Sequence, residues 1–213
     1  MAVQMNADAP DLLQLVVAGR GAPGLAELLA RPGWADARLY APADDGPRRL
    51  VLRSLPAGAD LRAAAAETDA LLAHAPCGVD NLYRCILRAP DDGLPFLTGR
   101  PVSVVQLDMV AEREQAMNEW YDGSHVPNLL LVPGYRVAAR YRLVAPAERG
   151  HSMGPEYLAL YELDGDEAIP LIGPEKERMT PEAIAELGVF ERDWASAVRN
   201  LAWGVYRPCR PAH

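Results

Sequence analysis

The sequence predicts an α+β protein built from two tandem ferredoxin-like βαββαβ repeats, each with a four-stranded antiparallel sheet. Three observations predict it. Apolar runs and helical periodicities pass twice through the same order, β-α-β-β-α-β. The turn chemistry repeats as well: "RPGWADARLYAP" (31–42) and "VPGYRVAARYRLVAP" (132–146) both place Pro-Gly-aromatic before a strand and Ala-Pro after it. Between the copies, "APDDGLPFLTGRP" (89–101) is dense in Pro, Gly and Asp, as a linker is. The division expected is a mobile leader at 1–10, a first repeat at 11–90, a linker at 91–101 and a second repeat at 102–213.

In the first repeat, "LLQLVVAG" (12–19) is an apolar, β-branched run closed by glycine, which reads as a strand. "PGLAELLA" (23–30) has helical spacing, with Pro23 suited to a helix start. "WADARLYAP" (34–42) and "RRLVLRSLP" (48–56) flank the turn signal "ADDGP" and read as a hairpin. "DLRAAAAETDALLAHA" (60–75) is alanine-rich behind a capping Asp60, so it is a helix. "NLYRCILRAP" (81–90) closes the unit as a strand.

The second repeat opens with the strand "VSVVQLDMV" (102–110) and the helix "EREQAMNEWYD" (112–122). Strands follow at 135–146 and 156–165, and then helical stretches between 166 and 198. The strongest of these is "TPEAIAELGVFERDWASAV", with Thr180 as cap and Pro181 as first helical residue. "LAWGVYRPC" (201–209) is the last strand. Two such sheets can pack face to face and enclose a pocket between their uncovered apolar faces. On 135–142, Tyr135, Val137, Ala139 and Tyr141 alternate with Arg136, Ala138, Arg140 and Arg142. Three arginines are rare in a helix-packed core, so the arginine face is expected outside it.

Composition limits the function. The 213 residues carry a formal charge of −8, and arginines are scattered among more numerous acids, which argues against nucleic acid. No apolar run approaches the roughly 20 residues that span a bilayer. The N-terminus has no basic start or apolar core of a signal peptide, so the expected location is the cytoplasm. Cys77, Cys85 and Cys209 show no metal-ligand spacing and read as buried, unreactive thiols. No glycine-rich phosphate loop, no HExxH and no GxSxG elbow occurs, so neither cofactor nor metal is expected.

The stretch "NEWYDGSHVPNLLLVPGYRVAARY" (118–141) concentrates the chemistry. Met117, Trp120 and Tyr121 share one helical face, and Asn118 and Asp122 an adjacent stripe. Gly123 is expected to end the helix in a left-handed conformation, and Pro127 to start the next. His125 would then sit at a helix-to-helix corner, where three roles are open. It can cap the helix C-terminus, it can bond Asp122 and fix the turn, or it can act as a general base oriented by Asp122. Tyr121, Tyr135 and Tyr141 are candidate phenol donors, and Arg136 or Arg140 a candidate carboxylate binder. The loop 146–156 and the segment 169–182 have the length and punctuation of lids.

The 118–141 stretch resembles the dimeric α/β-barrel superfamily of ferredoxin-like proteins, and within it the EthD-like group. Asn118, Trp120, Tyr121, Asp122, His125, Pro127, Pro133, Gly134, Arg140 and Tyr141 carry the resemblance. It covers the second repeat; the first, "GLAELLARPGWADARLY", lacks these residues and matches by element order alone. The resemblance implies an α/β-barrel-like domain, as a monomeric pseudo-dimer or a homodimer. Its members span monooxygenases, cyclases, isomerases, dehydratases and haem enzymes.

The function expected is a cofactor-independent enzyme acting on an apolar, aromatic or polyketide-like carbonyl compound. His125, Asp122 and Tyr121 are the candidate catalytic residues. Asn118, Trp120, Tyr135, Arg140 and Tyr141 are candidates for binding substrate. Cyclisation, dehydration and isomerisation fit this set; a cofactor-free monooxygenase and a non-catalytic accessory protein are the rivals.

Overall fold

The computed structural model describes residues 12–20, 22, 24–56, 58–72, 79–90, 94–144, 154–172 and 179–210. The expected leader, His74, Cys77, His151 and His213 lie outside them, as do most of the 146–156 loop and part of the 169–182 segment. Strand β1 (Leu12–Gly19) is followed by α1 (Leu25–Leu29), β2 (Arg38–Pro42), β3 (Arg48–Leu55), α2 (Leu61–Leu72) and β4 (Val79–Ala89). The second set is β5 (Val102–Met109), α3 (Glu114–Trp120), α4 (Val126–Leu129), β6 (Tyr135–Leu143) and β7 (Tyr157–Leu163). It finishes with α5 (Ile169–Ile172), α6 (Pro181–Val189) and β8 (Val198–Pro208).

The strands are hydrogen-bonded in the order β1-β3-β2-β8-β5-β7-β6-β4, a ladder that closes into a barrel. Within it, β4-β1-β3-β2 and β8-β5-β7-β6 each show the ferredoxin-like order. Strand β1 pairs antiparallel with β3 from Leu12↔Leu55 to Gly19↔Arg48, and with β4 from Leu12↔Arg84 to Val17↔Val79. Strand β5 pairs antiparallel with β7 from Val102↔Glu162 to Leu107↔Tyr157.

Packing divides the chain into two compact units. One comprises Ile86–Tyr141 with Pro155–Val205; the other comprises Pro10–Cys85, Arg142–Gly154 and Tyr206–His213. The second of these has a core of Val16, Leu25, Leu28, Trp34, Leu39 and Val51. There the Pro-Gly-aromatic motif does not lead straight into a strand. Pro32–Trp34 is a 3₁₀ turn, the strand starts only at Arg38, and the Trp34 ring is buried under the Arg53 guanidinium at 4.4 Å. Asp60 caps α2 as expected, accepting from the Arg62 and Ala63 amides, both at 3.0 Å.

In the unit containing 118–141, the core joins Leu107, Met117, Tyr121, Val126, Ala138, Ala159 and Tyr161. Thr180 caps α6, accepting from the Ala183 amide at 3.3 Å, with Pro181 as its first residue. The larger departure from expectation is at Gly123. Helix α3 does not stop there; a π-helical turn, Tyr121–His125, carries the chain without a break into α4. Gly123 is absent from the glycines of left-handed conformation, which include Gly134 at φ 102 before β6.

The spacing of the residues on the sheet side explains the π turn. Met117, Tyr121, His125 and Leu129 recur every fourth position. An α-helix has about 3.6 residues per turn, so such a row drifts by about 40° at each step. One π turn absorbs an extra residue and returns the row to a single face. Among the described residues no helix is long and apolar enough to cross a membrane.

Gly123 is exposed, and nothing lies within 4 Å of where a Cβ would stand. We expect Gly123→Ala to raise stability by about 0.5–1 kcal/mol in urea unfolding, because alanine lowers the entropy of the unfolded chain. A loss of stability would return Gly123 to the role of a left-handed cap.

Candidate functional site

The π turn directs Tyr121 and His125 toward the sheet, where a cavity of about 140 Å³ lies between strands and helices. Ser103, Val105 and Leu107 of β5 form its floor, with Tyr161 of β7 and Tyr135 at the start of β6. Helix α6 supplies Ala183, Glu186 and Leu187, and Met179, Phe190, Leu201 and Trp203 complete the wall. The pocket was expected between two uncovered sheet faces; this one is on the helix-covered face of β5 and β7. Helices α4 and α6 meet above that face without filling the space, which leaves the cleft.

His125 is the polar centre of this wall. Its Nδ1 lies 3.1 Å from Glu186 Oε2, and Asn128 Nδ2 donates to the other carboxylate oxygen at 2.6 Å. A carboxylate accepts, so Nδ1 carries the proton and Nε2 keeps its lone pair. Trp120 stacks on the imidazole at 4.6 Å, and Tyr121 meets it edge-on at 4.7 Å. Trp194 also stacks on Trp120, at 5.2 Å. Burial holds the His125 pKa below its usual value; Glu186 opposes that shift and Arg140 adds to it.

Three phenols face the same space. Tyr161 donates to the Tyr121 hydroxyl at 3.3 Å, and the Tyr135 ring meets Tyr161 edge-on at 5.3 Å. Tyr135 bonds Ser103, which in turn accepts from Trp203 Nε1 at 3.0 Å. Burial pushes all three phenols above their usual pKa, so they stay protonated and able to donate.

Asp122 does not orient His125. It accepts from Arg140 Nη1, while Arg140 Nη2 donates to Asn118 Oδ1 at 2.7 Å. Asn118 donates onward to Tyr157, whose hydroxyl donates to Glu114. Arg140 therefore points into the helix layer, at 2% exposure, rather than away from it. The reason is that α3 and the π turn bring two acceptors and the Tyr121 ring, 4.1 Å from the guanidinium carbon, to meet it.

Of the residues singled out from sequence, Tyr121, His125 and Tyr135 line the cavity. Asn118, Asp122 and Arg140 form an ionic cluster behind Tyr121, and Trp120 backs the imidazole. Tyr141 is fully buried and, by strand alternation from Arg140, lies on the opposite sheet face. Glu186, Tyr161, Ser103 and Trp203 were not singled out. Glu186 had a legible signal. It falls within the helical stripe Ala183, Leu187 and Phe190, where a carboxylate in an apolar row needs a partner. Among the described residues no three His, Cys, Asp or Glu side chains gather as for a metal ion.

No family model and no curated protein matches the sequence. Solved structures do match the fold. An anthrone oxidase-like protein superposes with a TM-score of 0.60 at 14% identity, covering 97% of this chain and 94% of its own. A major regulator of staphylococcal pathogenesis gives 0.59 at 10%, covering 93% and 99%. A ferredoxin-fold protein of Listeria monocytogenes related to antibiotic biosynthesis monooxygenases gives 0.55 at 9%, covering 95% and 96%. This chain shares the fold of these neighbours, a closed barrel of two ferredoxin-like strand sets.

The sign of the His125 shift fixes its pH behaviour. Its folded pKa lies below the unfolded value, so between the two the unfolded chain binds more protons. This residue's contribution to stability is thus complete above about pH 6.5 and is lost as pH falls below it. We expect NMR titration of the His125 ring to show a midpoint below 6.5 in the folded protein. The shift should move upward in Trp120→Ala, which opens the ring to water.

Proposed function

We propose that this chain is a small-molecule enzyme that moves protons on a carbonyl compound bound in the cavity, with His125 as general base. One observation carries the reading. A histidine, held by a carboxylate through Nδ1, stands in the wall of an apolar cavity beside three buried phenols, and burial disfavours the charged form of each. His125 Nε2 accepts a proton from the carbon next to the carbonyl. Tyr121 donates its hydroxyl to the carbonyl oxygen as charge builds there. Glu186 stabilises the imidazolium that forms, as a triad carboxylate does.

The enol so formed has three outcomes on the same machinery. Return of the proton at another carbon is isomerisation, internal attack on a second carbonyl is cyclisation, and loss of a β-hydroxyl is dehydration. Asp122, Asn118 and Arg140 take a positioning role here. They hold the guanidinium against the Tyr121 ring, where a cation favours the phenol as a donor. A second reading draws on the fold shared with the anthrone oxidase-like protein and the relative of antibiotic biosynthesis monooxygenases. In a cofactor-free monooxygenase the same carbanion passes its electrons to dioxygen.

Incubation with 2-cyclohexen-1-one in deuterium oxide tests the base. Wild type should catalyse exchange next to the carbonyl, and His125→Ala should lose about 10²–10⁴-fold of that rate. Glu186→Gln should fall in between, because it keeps the hydrogen bond to the ring but removes the charge. Full exchange by His125→Ala would end the proposal. Substrate-dependent oxygen consumption at an electrode would select the monooxygenase reading.

A further inference from the structure

We infer that the cavity takes a neutral compound of single-ring size, and that it discriminates against carboxylates, phosphates and fused polycyclic substrates. The inference rests on the reading of this cavity as the substrate site and names the class it accepts. Size comes first. An engineered apolar cavity of roughly 150 Å³ holds one benzene molecule. The space beside His125 is about 140 Å³, comparable to that volume and enough for one six-membered ring.

Charge gives the second limit. Among the described residues of the wall, Glu186 is the one that carries a formal charge when His125 is neutral. Its carboxylate, itself only 12% exposed, would repel an anion placed beside it. Arg140 is the cation near the site, but Asp122, Asn118 and the Tyr121 ring occupy its guanidinium. Tyr121 stands between it and the cavity, so it offers no anion clamp. The Arg140 contact to a substrate carboxylate considered from sequence is therefore not available in this arrangement.

Polarity gives the third. Three phenols and one imidazole share the wall with Ser103 and Glu186, and the rest of it is aliphatic and aromatic. A ring bearing one carbonyl or hydroxyl satisfies that pattern: its oxygen accepts from a phenol and its ring carbons face Val105, Leu107 and Leu187.

Binding of four probes to the full chain, read by tryptophan fluorescence and ligand-observed NMR, tests this. 2-Cyclohexen-1-one and phenol should bind saturably, benzoate at least about tenfold more weakly, and anthrone not at all. Leu187→Ala, which trims the cavity wall on α6, should gain binding of the two-ring 1-naphthol. Ala183→Leu should abolish binding of phenol, and an unchanged far-ultraviolet circular dichroism spectrum and urea midpoint would exclude misfolding as the cause. Benzoate binding as tightly as phenol, anthrone binding more tightly than either ring, or no saturable binding of the single rings would overturn the inference. Binding without deuterium exchange would sink the general-base reading and leave this one standing.

Discussion

The candidate site depends on the π turn at Tyr121–His125. A regular α-helix through 114–129 would rotate His125 and Leu129 progressively away from the face that Met117 and Tyr121 define. The extra residue keeps all four on the sheet side, so burial of Met117 and Tyr121 in the core also fixes His125 at the cavity wall. Hydrophobic burial of roughly 1.5–3 kcal/mol for each large apolar side chain thus holds a polar residue where water would otherwise draw it outward. The second π turn, Phe190–Trp194, contributes Phe190 to the same cavity and Trp194 to the stack on Trp120.

Two polar systems meet at this helix and have different physics. Arg140, Asp122 and Asn118 form a closed cluster in which the charge is paired, so the cation is tolerated at 2% exposure. Removing one acceptor would leave a buried cation short of partners, which is costly without touching the cavity. His125 and Glu186 form an open system. One ring nitrogen is fixed by the carboxylate, and the imidazole forms part of the cavity wall.

The fold was largely legible because its signals are local. Period-two runs, Asp60 and Thr180 at helix starts, and Gly134 before β6 each act over a few residues, and the same order occurs twice. The site was half legible. Tyr121, Tyr135 and His125, which line the cavity, were legible because they crowd one segment. The partner of His125 was misassigned because proximity in sequence favoured Asp122, three residues away, over Glu186, 61 positions distant. Only the meeting of α4 and α6 brings Glu186 close. Gly123 misled for a related reason: glycine is the usual stop signal, yet a glycine on an exposed helical position ends nothing if the row on the buried side continues to be satisfied.

One physical cause prepares both partners of the proposed proton transfer. Burial disfavours the charged form of every titratable group, and so it acts in opposite directions on a base and an acid. It lowers the pKa of His125, whose charged form is the protonated one, and raises those of Tyr121, Tyr135 and Tyr161, whose charged form is the phenolate. Across neutral pH burial therefore favours the neutral imidazole and the protonated phenols. Glu186 limits the loss of basicity, since it raises the His125 pKa against the effect of burial. A histidine buried equally deep without that carboxylate would be neutral too, but less basic, and its ring would lack the bond that fixes which nitrogen holds the proton.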